Sequence, residues 1–285
     1  MSTVSLERNL VISTEKLQET ANEIRKLALR AITKANSGHP GGSLSLTDIL
    51  TVLYFNLLKH DPKNPNWEER DRVIISKGHA SPGIYAALSL AGYFEPEEFV
   101  NTFRQVRSKF QGHIDRLKVP GVEVSTGSLG HGLSIANGVA LGLRLESKKN
   151  KVYALLSDGE LQEGQIWEAV MASAHYKLGN LTAIVDRNRI QLDGWTEETM
   201  ALNPLADKFK AFGWEVKEID GHNFSEIIDS IQSGSQRDLT DKPLLILANT
   251  IKGKGVSFME DKVAWHGVAP KPEELEAALA ELTTN

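Results

Sequence analysis

Apolar positions in this chain recur with two distinct periods. Between residues 14 and 34, Leu17, Ala21, Ile24, Ala28 and Ala31 fall at three-to-four-residue spacing, which places them on one helical face. A Gly/Pro/Ser-rich break spans 37–45, and 46–58 reads as a second amphipathic helix. Downstream, short apolar runs alternate with helical ones. The strand-like runs are 72–76, 152–156, 181–185, 214–219 and 244–248. The helix-like runs are 83–91, 132–146, 165–177, 205–212 and 225–232. Strands that are apolar throughout are buried on both faces, as in a parallel sheet. Alternation over the whole length predicts an α/β fold: a mostly parallel sheet with helices on both faces, as a single domain over 1–285. The tail, 270–285, is predicted as one last helix, Glu-rich and exposed. The segment 95–124 has no clear period, and a connection of that length in a compact domain is often functional.

Composition narrows the function classes. Net charge is −5, which argues against a protein that coats nucleic acid. There is no cysteine, so disulfides, thiol nucleophiles and Cys-ligated zinc are excluded. No apolar run approaches the roughly 18–20 residues of a membrane span, and Met1–Leu10 lacks the apolar core of a signal peptide. A cytoplasmic protein without nucleic-acid or membrane partners is expected.

Candidate chemistry follows from where the polar residues fall. Open parallel sheets bind ligands at the carboxyl ends of their strands. The residues just past those ends are 76–79 (Ser-Lys-Gly-His), 157–160 (Ser-Asp-Gly-Glu), 186–188 (Asp-Arg-Asn) and 250–255 (Thr-Ile-Lys-Gly-Lys-Gly). Turn chemistry accounts for part of this pattern, because βα turns favour Gly and Asp. Six of the eight histidines adjoin a glycine: His39, His79, His113, His131, His222 and His266. Roughly one would do so by chance, and glycine marks tight turns and close ligand approach. Their scatter gives no His-x3-His metal spacing, so hydrogen-bonding and acid–base roles are favoured. Residues 127–132 (Gly-Ser-Leu-Gly-His-Gly) open a helix whose first amides can hold an anion, but their order is not the dinucleotide fingerprint. Asp158 and Asn188 end two strands joined by one helix. One carboxylate and one amide oxygen suit Mg2+, which also takes phosphate oxygens and water. The plainer alternative, Asp158 as a helix cap and Asn188 in a turn, stays open.

In order along the chain, these segments resemble the diphosphate-binding, N-terminal part of transketolases, thiamine-diphosphate enzymes. Residues 36–42 (Asn-Ser-Gly-His-Pro-Gly-Gly) and 76–80 (Ser-Lys-Gly-His-Ala) are similar to two family signatures. Ser-Asp-Gly at 157–159, followed by Asn188, resembles the thiamine-diphosphate motif, and Trp265-His266-Gly267 falls where the family has a late histidine. The resemblance runs from about residue 14 to 275.

It implies a thiamine-diphosphate-binding fold and a site. Asp158, Asn188 and the carbonyl of Ile190 would hold Mg2+, with Ca2+ or Mn2+ as substitutes. Gly159 and His79 would contact the diphosphate, and Gly127, Ser128 and Leu129 would line the aminopyrimidine pocket. His39, His79, His113 and His266 would bind the ketose hydroxyls and move protons, with His266 also meeting the cofactor. Glu163 would sit at a subunit interface linking paired active sites. The implied reaction moves a two-carbon ketol unit from a ketose phosphate to an aldose phosphate, with pentose-phosphate sugars as the default.

Three departures stand out. Ser157 replaces the usual first glycine of the cofactor motif. His131 stands where full-length enzymes have Gln, and its role is open. The chain stops at Asn285, whereas full-length transketolases continue through pyrimidine-binding and C-terminal domains. A separate C-terminal subunit is therefore expected, in a heterotetramer with two copies of each chain. Rival readings are the α subunit of a 2-oxo-acid dehydrogenase, a piece of deoxyxylulose-phosphate synthase, a Rossmann dehydrogenase and a non-catalytic scaffold subunit. The Rossmann reading lacks its glycine fingerprint near the N-terminus.

Overall fold

The computed structural model describes residues 12–192 and 194–284. The expectation about Met1–Leu10 lies outside them. Five parallel strands form one sheet in the order β1 (Arg72–Ile75), β2 (Val152–Ser157), β3 (Leu181–Arg187), β5 (Leu244–Asn249), β4 (Glu215–Asp220). The α-helices among the described residues are α1 (Thr14–Ala35), α2 (Pro40–Ser45), α3 (Thr47–Val52), α4 (Ser81–Leu90), α5 (Pro96–Thr102), α6 (His131–Leu145), α7 (Gly164–His175), α8 (Thr196–Thr199), α9 (Leu205–Ala211), α10 (Phe224–Ser235) and α11 (Pro272–Thr284).

Alternate strand residues feed two cores. Val73, Ile75, Tyr153, Leu155, Ile184 and Ile246 pack with α1, α3, α4 and α10 on one face. Ile74, Ala154, Leu156, Ala183, Val185 and Leu247 pack with α6, α7 and α9 on the other. Burial on both faces is what the continuous apolar runs predicted. β4 differs: β1 is also an edge strand and is largely buried, but of the β4 residues only Ile219 is buried.

α1 spans nearly the predicted residues. The Ser13 hydroxyl accepts from Lys16 N, and Asn36 ends the helix in the left-handed region (φ 46°).

Three expectations change. The run 46–58 is not one helix: α3 ends at Val52 and a π-helical turn covers Leu53–Leu57. The break at 37–45 is partly helical, as α2. Pro40 starts α2, and Gly41 is selected by packing: a Cβ there would lie 2.9 Å from the Lys252 side chain and the Trp265 carbonyl. The tail helix α11 is not wholly exposed, because Ala278 and Leu282 are buried with Leu29, Val256 and Met259. Within 95–124 the short helix α5 buries only Phe99 and Val100, too few positions to show a period.

Candidate functional site

The strand register puts Ser157 beside Asp186, and Asp186 beside Ala248. The carboxyl ends of β2, β3 and β5 therefore open side by side, with that of β1 next to β2.

The first group there is a set of oxygens. Asp158, 2% exposed, caps the short 3-10 turn Gly159–Gln162: its Oδ1 accepts from Gly159 N at 2.9 Å. Its Oδ2 accepts from Arg189 N at 2.6 Å, which ties the exit of β2 to the exit of β3. Asn188 is buried, with Oδ1 accepting from Ile190 N at 3.2 Å. Its Nδ2 donates to Ser45 Oγ and Asp186 Oδ2. The Ile190 carbonyl accepts from Lys252 Nζ at 2.8 Å. The cap reading of Asp158 thus holds, and the same carboxylate also bridges to the segment carrying Asn188 and Ile190.

Burial pushes the Asp158 carboxyl up to about 6, and the Asp186 charge adds to it. A divalent cation would relieve this poorly balanced charge. The hard donors of Asp158, Asn188 and Ile190 fit Mg2+ or Ca2+. Among the described residues no cluster of three or more His, Cys, Asp or Glu could hold a metal, so phosphate oxygens and water would have to complete the shell.

The second group is basic. Lys77 and Asp186, each no more than 1% exposed, form a buried ion pair. Lys77 Nζ also reaches the Gly42 carbonyl at 3.2 Å, and Asp186 takes the hydroxyls of Ser45 and Thr250. Burial pulls Asp186 upward, but Lys77 and these hydrogen bonds hold it below the usual carboxylate range. Lys252, 2% exposed, lies between Ile190 and His266, with Nζ 2.7 Å from His266 Nδ1. Burial first, then the Lys77 charge, lowers it to about 8.

The third group is a triangle of imidazoles. Ring centroids are 5.2 Å apart for His39–His79, 5.5 Å for His39–His266 and 5.8 Å for His79–His266. Burial, reinforced by neighbouring positive charge, lowers His79 to about 2, His266 to about 3 and His39 to about 4. All three rings are neutral at pH 7. His39 Nδ1 is buried without a hydrogen-bond partner.

A cavity of about 650 Å³ opens beside this cluster, lined in part by His113, Asp115, Gly127, Ser128 and His131. Gly127 (φ 150°) leaves room for His113, whose Cδ2 would lie 2.6 Å from a Cβ there. Ser128 and His131 are exposed and Leu129 is half-buried. Glu163 is exposed at the N-terminus of α7.

The structure thus gathers His39, His79, His266, Asp158, Gly159, Asn188 and Ile190, with His113 and 127–129 at one margin. His222 is the exception among the glycine-flanked histidines, bonded instead to Asp48 and Ile251. Lys77, Lys252, Asp186 and Arg104 received no role from the sequence. The first three lie inside strand-exit segments already singled out. Arg104 lies in the unperiodic segment, where its Nη1 donates to Ser37 Oγ at 2.6 Å and its charge helps lower His39 and His113.

Residues 16–285 match the family described as transketolase, thiamine diphosphate binding domain. The chain is 47% identical over 266 residues to a 6-deoxy-6-sulfo-D-fructose transketolase subunit of Clostridium sp. (strain MSTE9), covering 93% of this chain and 96% of that one. It is 43% identical to an apulose-4-phosphate transketolase subunit of Actinobacillus succinogenes, covering 95% and 97%. Against the transketolase of Homo sapiens, 36% identical, it covers 92% of itself but 41% of that protein. The crystal structure of transketolase from Campylobacter jejuni superposes with a TM-score of 0.89 at 37% identity, covering 95% of this chain and 43% of that one. With a family match over nearly all its length and a fold shared at that closeness, the chain belongs to the transketolase family, as its thiamine diphosphate-binding part.

Proposed function

We propose that the chain is the diphosphate-binding subunit of a two-polypeptide transketolase that uses thiamine diphosphate and Mg2+. The observation that carries the reading is the meeting, in one crevice, of a hard-oxygen set (Asp158, Asn188, Ile190) with three neutral imidazoles (His39, His79, His266). A diphosphate–metal unit needs the first, and a substrate rich in hydroxyl groups needs the second. The split is supported by length: the chain covers 96–97% of relatives named as subunits and 41% of a full-length transketolase.

Bound thiamine diphosphate would supply an electron sink for breaking a C–C bond next to a carbonyl. The chain's own residues do the rest. Asp158 Oδ, Asn188 Oδ1 and the Ile190 carbonyl hold the metal. Lys252 Nζ and Gly159 face the diphosphate, beside His79. Gly127, Ser128 and Leu129 border the aminopyrimidine. His39, His79, His113 and His266 orient the sugar hydroxyls, and a neutral imidazole takes a hydroxyl proton where an imidazolium could not. Arg104, beside His39 and His113, meets an acidic end group on the sugar. The names of the relatives above specify phosphorylated and sulfonated sugars, so a ketose with an anionic terminus is the proposed donor, pentose phosphates included. Glu163, exposed just before α7, faces the partner subunit. The proposed assembly is a heterotetramer with two copies of each chain, in the cytoplasm. Among the described residues no helix is long and apolar enough to cross a membrane.

The test is ketol transfer by this chain, alone and with a separately expressed C-terminal subunit, given thiamine diphosphate, Mg2+, a ketose phosphate and ribose 5-phosphate. Turnover only in the mixture is expected. Turnover by the chain alone, or no cofactor binding in the mixture, would sink the proposal.

A further inference from the structure

Lys252 is carried by the loop that follows β5, and that loop is pinned on both sides of the lysine. The Thr250 hydroxyl donates to Asp186. The amide of Ile251 donates to His222 Nε2 at 2.8 Å. The amide of Gly253 donates to the Gly41 carbonyl at 3.1 Å.

His222 lies in the turn between β4 and α10, far from the reacting groups in sequence and bonded to the loop at a different residue from His266. Its Nδ1 is 2.6 Å from Asp48 Oδ2. Asp48, on α3, is 3% exposed and also receives Arg25 Nη2 from α1 at 2.7 Å. Because Nε2 accepts an amide hydrogen, the ring proton belongs on Nδ1 and is donated to Asp48. Both nitrogens are then committed and the tautomer is fixed.

We propose that His222, itself held by Asp48 and Arg25, is a positioning residue that sets the Ile251–Lys252 peptide and so aims Lys252 Nζ at the Ile190 carbonyl and His266. This rests on the proposed function for its consequence, but not for its geometry. Without the Nε2 acceptor, the Ile251 amide loses its partner one residue before the lysine, and the lysine's two contacts depend on where that peptide sits.

Two substitutions separate the halves of the ring. His222→Asn keeps a donor near the Nδ1 position for Asp48 and removes the acceptor for Ile251. His222→Gln extends an acceptor to the Nε2 position. The first measurement is limited trypsin cleavage after Lys252 and Lys254 in the full chain, followed by mass spectrometry. The second is the KM for thiamine diphosphate, and kcat at saturating cofactor, in the complex with the C-terminal subunit. For His222→Asn, cleavage about tenfold faster and a KM about tenfold higher are expected, with kcat within about twofold. His222→Gln is expected within about threefold of the unsubstituted chain in both. Wild-type behaviour of His222→Asn in either measurement overturns the inference. So does a Gln variant as impaired as the Asn variant, or loss of folding by both in circular dichroism, which would mean a global role. If the unsubstituted complex binds no cofactor, the functional reading fails, while the trypsin comparison still decides whether His222 holds the loop.

Discussion

At Asp158, burial and the nearby Asp186 charge favour the protonated form, whereas a bound metal ion favours the carboxylate. Mg2+ with thiamine diphosphate at about a hundredfold over its Kd is therefore expected to raise the melting temperature of the complex by about 5 °C, and Asp158→Ala is expected to abolish that rise. A thermal scan with and without Mg2+ checks it. The imidazoles act differently. His39, His79 and His266 titrate well below the ordinary 6.5 when folded. Below about pH 6.5 the unfolded chain binds protons that the folded chain refuses, so stability falls as pH drops from about 7 towards 4. Asp158 works in the opposite sense: with its folded pKa raised from 3.8 to about 6, its penalty is present at pH 7 and is relieved on acidification. Urea midpoints at pH 7 and pH 5 are compared in the Asp158→Ala chain, where the Glu160 carboxyl, which burial pushes up to about 8, still acts against the histidines. Adding His79→Asn is expected to flatten the remaining slope. The histidines were legible because glycines flank them. Lys77 and Lys252 were not, because lysine is ordinarily exposed and the anion that keeps Lys77 buried lies 109 residues downstream.

Elements with many apolar positions were readable, and short or packing-selected ones were not. α1 and the strands β1, β2, β3 and β5 carry their burial in their own periodicity. α2 is rich in residues with poor helix propensity; Pro40 starts it and Gly41 admits Lys252 and Trp265. α11 looks like a solvated, acidic helix, yet Leu282 is 1% exposed in the cluster with Leu29, Val256 and Met259. Leu282→Ala is expected to cost about 2–4 kcal/mol of folding stability, measured by urea denaturation. An exposed α11 would lose less than about 0.5 kcal/mol.

Across the whole molecule, the sheet order brings four strand exits to one crevice, and the lengths of the named subunits point to a site completed by a second polypeptide. Replacing Gly127 by Ala tests the margin of that crevice. An added Cβ would meet His113 at 2.6 Å, so cofactor affinity in the complex is expected to fall about tenfold, measured by calorimetry. The sequence by itself determined the α/β class, most element positions and the motif residues, because periodicity and glycine-flanked turns are local properties of the chain. Only the tertiary structure decided the strand order, the pairing of Lys77 with Asp186, the placing of Lys252 against Ile190 and His266, and the separation of His222 from the other histidines. Those are contacts between residues distant along the chain, and burial of a charge is stable only where its partner arrives from elsewhere in the fold.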